Sequence, residues 1–221
     1  MKFLGESAFS ALYLVTAIIL GVLTLRNARG RKEHLLFGAT ILVLGGGDAF
    51  HLVPRIFPPT AAGLHDRALG FGTLVTSITM TVFYVMLYHV GRNRYRTKSA
   101  VPTAAVYTLA VLRVGLCLFP QNNWFSPEAS WEWGIFRNIP FVFLGALVTA
   151  FFYIKAKEQR DRPFRFMWLA ITLSFVFYLP VVLFAGSYPL FGLFMIPKTL
   201  MYIWIIWMGY AQSNPSKASF S

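Results

Sequence analysis

The stretch 68-ALGFGTLVTSITMTVFYVMLYHVG-91 decides the fold. It holds no Asp, Glu, Lys or Arg, and its only charge-bearing group near neutral pH is His89. A helix needs about 20 mostly apolar residues to cross the hydrocarbon core of a bilayer, so this run predicts a membrane-spanning helix. Working outward from roughly 68–90, comparable runs occupy about 7–25 and 34–54 upstream. Downstream they fall at about 100–119, 138–154, 166–186 and 189–211. The expected architecture is an all-α integral membrane protein, a single seven-helix bundle over 1–211 with a short tail at 212–221. Pro140 is expected in the first turn of the fifth span, where no backbone donor is lost. Pro180 and Pro197 are expected inside the sixth and seventh, as kinks whose freed carbonyls neighbouring helices can satisfy.

Composition excludes the other classes. Of 221 residues, 57% are hydrophobic, 17% aromatic and 13% charged, against about 45–50% apolar and 25% charged in soluble domains. The mean hydropathy is +0.59. A disordered chain or a disulfide scaffold is ruled out, since Cys117 is the only cysteine. The longest connection, about 120–137, carries Trp124, Trp131 and Trp133, residues suited to anchoring at the headgroup layer.

The net charge of +12 follows a topological pattern. Arg26, Arg29, Arg31 and Lys32 lie between spans 1 and 2, and Arg92, Arg94, Arg96 and Lys98 between spans 3 and 4. Lys155, Lys157, Arg160, Arg162 and Arg165 lie between spans 5 and 6, and Lys217 in the tail. The other side keeps only Lys2, Arg55, Arg67 and Arg137. The positive-inside rule places the N-terminus outside and the C-terminus in the cytoplasm. It also accounts for the basic excess without nucleic acid as a partner. The first span is followed by a basic cluster instead of a small-residue cleavage site and is expected to remain as a helix. The expected location is a cell membrane, with multiple passes, of the bacterial inner or plasma-membrane kind.

Charged side chains inside a bilayer are costly and mark functional or paired positions. The second span ends 45-GGGDAFHLVPR-55, whose Asp48, His51 and Arg55 share one helical face at spacings of three and seven. Arg113 lies in the fourth span and Lys198 in the seventh, while Asn138 opens the fifth. Thr73, Thr76, Ser77 and Thr79 supply neutral polar groups from the third span. With the assigned orientation, all of these fall in the outer half. They predict a polar pocket open to the outside above an apolar, aromatic floor. Asp48, His51, Arg55, Ser77, Arg113, Asn138 and Lys198 are its expected ligand-binding residues. Cations outnumber acids there, so the expected ligand is small and anionic or amphiphilic and lipid-like. A competing structural role is an ion pair joining Asp48 to Lys198 or Arg113. Gly45, Gly46 and Gly47 permit either close helix approach or local unwinding beside a ligand. His34 and His89 fall at the cytoplasmic helix ends and are expected to be interfacial.

Two enzymatic alternatives and one transport alternative follow. Asp48 and His51, with His65 or Asp66, are spaced as a zinc ligand set would be. This arrangement, over about 45–70, resembles the superfamily of seven-helix hydrolases that includes alkaline ceramidases and progestin/adipoQ receptors. Those have a histidine near the end of span 2 and an aspartate near the start of span 3, as His51 and Asp66 are placed here. The resemblance implies zinc-dependent hydrolysis, with His51, Asp48 and Asp66 as candidate catalytic residues. The chain departs from the family's pattern in having no histidine after His89 and Gly47 where that family has a serine. Lys198 on the seventh span, with Asp48 as counter-ion, also resembles the retinal lysine of rhodopsins, but span 3 lacks the carboxylate of the microbial ones. No resident cofactor is expected. Transport of a small solute would require the apolar inner half to open, and a receptor would signal through the three basic loops. Phosphate loops, dinucleotide fingerprints, serine elbows and CxxC pairs are absent from the chain.

Overall fold

The computed structural model describes residues 2–56, 64–126 and 130–214. These form α1 (Lys2–Asn27), α2 (Lys32–Ile56), α3 (Leu64–Arg94), α4 (Ala100–Leu118), α5 (Trp131–Glu158), α6 (Met167–Phe184) and α7 (Met195–Ser213). Short 3-10 turns occupy Pro120–Asn122 and Pro189–Phe194, and no strand occurs among the described residues. Seven helices, the last counted from Leu190, are long and apolar enough to cross a membrane, as a polytopic membrane protein requires.

Two helices differ from the expected runs. α5 begins at Trp131, well before 138, because Ser130 caps it by accepting a hydrogen bond from the Trp133 amide at 3.4 Å. Trp131 and Trp133 are therefore helical, and Pro140 stands inside α5 instead of in its first turn. In α7 the reverse holds. The chain from Pro189 to Phe194 is a 3-10 turn, so Pro197 falls in the first turn of the α-helix and does not kink it. Pro180 is inside α6 as expected. Beyond Asn214 the tail, with Lys217, lies outside the described residues.

Consecutive helices pack side by side, α7 returns to α1, and the bundle closes as a ring. α3 reaches inward to α5, and α2 touches α7. Short connections make neighbours antiparallel, so α1, α3, α5 and α7 start at one end, the amino-terminal end, and finish at the other, the basic end. The α2–α3 contact is set by glycines. A Cβ on Gly72 would stand 2.1 Å from the Phe50 carbonyl oxygen, and one on Gly47 would stand 1.9 Å from Thr79 Oγ1. α2 stays helical through Gly45–Gly47; Gly47 serves close approach to α3 and Gly45 to α1, where a Cβ would stand 3.1 Å from Ala17 Cβ.

The middle of the bundle is aromatic. Tyr84, fully buried, meets Phe83 and Phe141 at ring distances of 5.2 Å each, and Phe83 meets Tyr202 at 5.9 Å. Edge-on contacts of this kind add to the area they bury. Toward the basic end, Arg94 clamps three elements. Its Nη2 and Nε donate to Asp161, its Nη1 donates to Glu33 at 2.8 Å, and its guanidinium lies over Phe164 at 4.3 Å. The Tyr95 hydroxyl donates to Asp161 at 2.9 Å. Burial raises the Asp161 carboxyl, but the hydrogen bonds and charge of Arg94, with Tyr95, outweigh it and hold the group below the usual carboxylate range. His34, also near this end, is buried, and His89 bonds the Tyr107 hydroxyl at 2.8 Å.

Candidate ligand-binding site

At the amino-terminal end α2 carries Asp48, His51 and Arg55 along one face, and each finds a different environment. Asp48 accepts a 2.7 Å hydrogen bond from the buried Tyr13 hydroxyl of α1. His51 Nδ1 shares a 3.1 Å hydrogen bond with Thr73 Oγ1 of α3. Arg55, one turn higher, is exposed. α3 runs beside α2, and Thr76 Oγ1 donates to the Gly47 carbonyl at 2.9 Å, stitching the two backbones.

The two cations on the far helices are enclosed. Arg113 is 2% exposed and Lys198 8%. The Arg113 guanidinium lies 3.4 Å from the Phe141 ring centroid, and its Nε and Nη1 are buried without a hydrogen-bond partner. Lys198 Nζ sits 4.8 Å from the Tyr178 ring and 5.2 Å from the Tyr202 ring. The two groups feel each other's charge, and Lys198 feels that of Asp48. Among the described residues neither cation makes an ion pair. The alternative of an Asp48 ion pair to Lys198 or Arg113 is therefore replaced by the Tyr13–Asp48 hydrogen bond. A buried cation with open donors is costly, because its lost hydration is not returned.

Two cavities meet at these residues. The smaller, about 90 Å³, is bordered by Arg113, Lys198, Ser77, Thr76, Phe141 and Tyr178 among others. The larger, about 360 Å³, lies between α1, α2 and the start of α7, with Glu6 and Arg55 among its polar walls and Phe9, Leu52, Leu193 and Ile196 among its apolar ones. His51 and Met195 border both. The Ser77 and Thr76 hydroxyls spend their protons on the Thr73 and Gly47 carbonyls, so toward the small chamber they offer lone pairs and the cations offer the donors.

The structure thus brings His51, Ser77, Arg113 and Lys198 to one chamber and Arg55 to the adjoining cavity. Asp48 stands behind Tyr13. Asn138 lines neither cavity; its amide donates to the Gly134 carbonyl at 2.8 Å and its Oδ1 accepts from Tyr178 at 2.9 Å, which orients a chamber wall. Arg137 turns away to Asn122 Oδ1 at 2.9 Å and lies over Trp124 at 4.2 Å. Trp124 in turn bonds the Cys117 carbonyl at 2.8 Å, so this expected headgroup anchor also pins the α4–α5 connection. Asp66 is exposed in the first turn of α3 and borders neither cavity. Among the described residues no three of His, Cys, Asp and Glu converge, and Asp48, His51 and Asp66 stand in separate surroundings. Tyr13, Tyr178 and Met195 belong to the site and were missed. Tyrosine and methionine in a long apolar run read as ordinary span residues, and only their shared depth with Asp48 and Lys198 could have marked them.

No family model matches the chain, and no curated protein or solved structure matches it either.

Proposed function

We propose that this protein sits in a cell membrane with its N-terminus outside, and binds a small anionic or amphiphilic ligand through Arg113 and Lys198 at its outward end. The observation that carries the reading is the pair of buried cations, neither in an ion pair among the described residues, at the wall of one polar chamber. An anion there would supply the missing hydrogen-bond acceptor for Arg113 Nε and Nη1 and return part of the lost solvation. His51, Ser77 and Tyr178 would shape the chamber, and Arg55 would stand at the mouth. Binding is favoured over transport because the chamber rests on the interlocked rings of Phe83, Tyr84, Phe141 and Tyr202, which a passing solute would have to part. It is favoured over hydrolysis because, of the acids that would serve there, Asp48 is engaged by the Tyr13 hydroxyl and Asp66 borders neither cavity.

Native mass spectrometry of the purified protein tests the reading. A co-purifying anionic molecule is expected in the wild type, and it should be lost in Arg113→Gln and Lys198→Met variants that remain folded. Retention of the same molecule in both variants would overturn the assignment. Uptake of that molecule into sealed vesicles would move the function to transport.

A further inference from the structure

The geometry points to a two-compartment site for a single-chain carboxylate, its head in the small chamber against Arg113 and Lys198 and its apolar body in the larger cavity. This inference rests on the proposed anion site and names what occupies it.

The first observation is adjacency. The two cavities share His51 and Met195 and no other bordering residue. These two side chains stand between a cation-lined chamber and a space several times larger. Met195 is an unbranched, adaptable side chain, and it stands where the 3-10 turn passes into α7. A slender chain needs only Met195 to turn aside to run from one space to the other, whereas a head bearing two substituents would need two such passages.

The second observation is charge. Arg113 and Lys198 border the chamber and Asp48 is the acid that Lys198 feels. Their formal charges sum to a single positive, which a monoanion balances. At the mouth Glu6 and Arg55 face the same cavity with opposite signs, so the uncompensated positive charge lies inside, and the anionic end is drawn inward. A terminal carboxylate satisfies both conditions, being a monoanion with one substituent and two acceptor oxygens for a guanidinium.

The third is the character of the larger cavity. Phe9, Leu52, Leu193 and Ile196 give it apolar walls, while Ser7 Oγ there is buried without a partner. At about 360 Å³ it falls within the range of small-molecule sites. It lies along the seam between α1 and α7, the route by which a membrane-dissolved chain would enter sideways.

Acetate and octanoate are the probes, titrated calorimetrically against the protein in neutral phosphatidylcholine nanodiscs, with empty discs subtracted. Octanoate should bind at least about thirtyfold tighter than acetate, since each buried methylene adds about 0.8 kcal/mol. Ile196→Trp, and separately the half-exposed Leu193→Trp as a variant less able to disturb folding, should collapse that ratio toward one. An octanoate advantage below threefold in the wild type, or one that survives both tryptophans, overturns the two-compartment site. Tighter binding of octyl phosphate than of octanoate overturns the monocarboxylate assignment. Insensitivity of both probes to Arg113→Gln and to Lys198→Met would instead remove the anion site on which the inference rests.

Discussion

Arg113 of α4 stacks its guanidinium 3.4 Å from the centroid of the Phe141 ring of α5, and that face-on contact is its main compensation for burial. Aromatic faces attract cations, by about 2 kcal/mol or more when the pair is desolvated. This does not replace hydrogen bonds to Nε and Nη1. Arg113 is thus held in place by a ring while its Nε and Nη1 stay open, as the proposed anion site requires.

Replacing Arg113 by Met should leave the ligand-free protein as stable as the wild type, or more stable by about 1–2 kcal/mol, because an unpaired buried charge is exchanged for an apolar chain of similar length. The same variant should lose anion binding. Thermal unfolding with and without octanoate checks both halves, and a loss above about 3 kcal/mol without ligand would mark Arg113 as a structural residue.

Tyr13→Phe removes the 2.7 Å hydrogen bond to Asp48. A buried acceptor left without its donor costs about 1–3 kcal/mol. The double variant Tyr13→Phe, Asp48→Leu should recover only part of that loss in the same unfolding measurement, since the orphaned acceptor is gone but buried Lys198 loses the charge of Asp48.

Gly46 and Gly47 are adjacent but not equivalent. Nothing lies within 4 Å of a Cβ on Gly46, whereas one on Gly47 would stand 1.9 Å from Thr79 Oγ1 and 2.5 Å from Thr79 Cβ. Gly46→Ala should be neutral or stabilising, by up to about 1 kcal/mol from helix propensity. Gly47→Ala should cost about 1–3 kcal/mol by forcing α2 from α3. Equal melting temperatures for the two variants would contradict the packing described.

The Arg94–Asp161 clamp predicts a pH dependence. The folded Asp161 carboxyl titrates below its ordinary value of 3.8, so its contribution is complete above that pH and is lost as pH falls toward the folded value. The difference in melting temperature between wild type and Asp161→Asn should be flat from about pH 7 to 5 and shrink below about pH 4. Arg94→Lys, which cannot present a planar fork, should reproduce part of the Asp161→Asn loss at neutral pH.

The proposed orientation is checked by labelling single cysteines in a Cys117→Ser background with a reagent that does not cross membranes. Arg29→Cys, Arg96→Cys and Arg160→Cys should react only in opened cells, and Arg67→Cys in intact ones. The opposite pattern would invert the assigned sidedness and turn the cavities toward the cytoplasm.

Hydropathy made the seven helices legible because a bilayer-length apolar run is a strong signal. It failed where helix ends are polar. The start of α5 hides in SWEWGIFR, where the cap on Ser130 and the acid Glu132 in the first turn, not apolarity, define the terminus. Charges inside spans likewise marked His51, Arg113 and Lys198, since ionisable groups stand out against leucine. Their surroundings were not legible. Which partner Asp48 takes depends on how α1 is rotated, and Tyr13 lies in an apolar run with nothing to set it apart. The turning away of Arg137 depends on Asn122, whose Nδ2 is held by the Leu116 and Phe119 carbonyls at 2.8 Å each, a local geometry that no spacing rule encodes.

The seam between α1 and α7 joins the first of the seven helices to the last. As the polypeptide leaves the ribosome, the large cavity has two of its walls after the second helix and gains the third only when the seventh is threaded into the bilayer. Lys198 arrives with that same helix, so until then Arg113 waits in lipid with Phe141 beside it and no finished chamber. On the proposed reading, ligand binding is therefore acquired only once α7 is in place. A captured ligand would act as a clasp across the seam, and molecules truncated within α7 should be those that a membrane quality-control protease removes first.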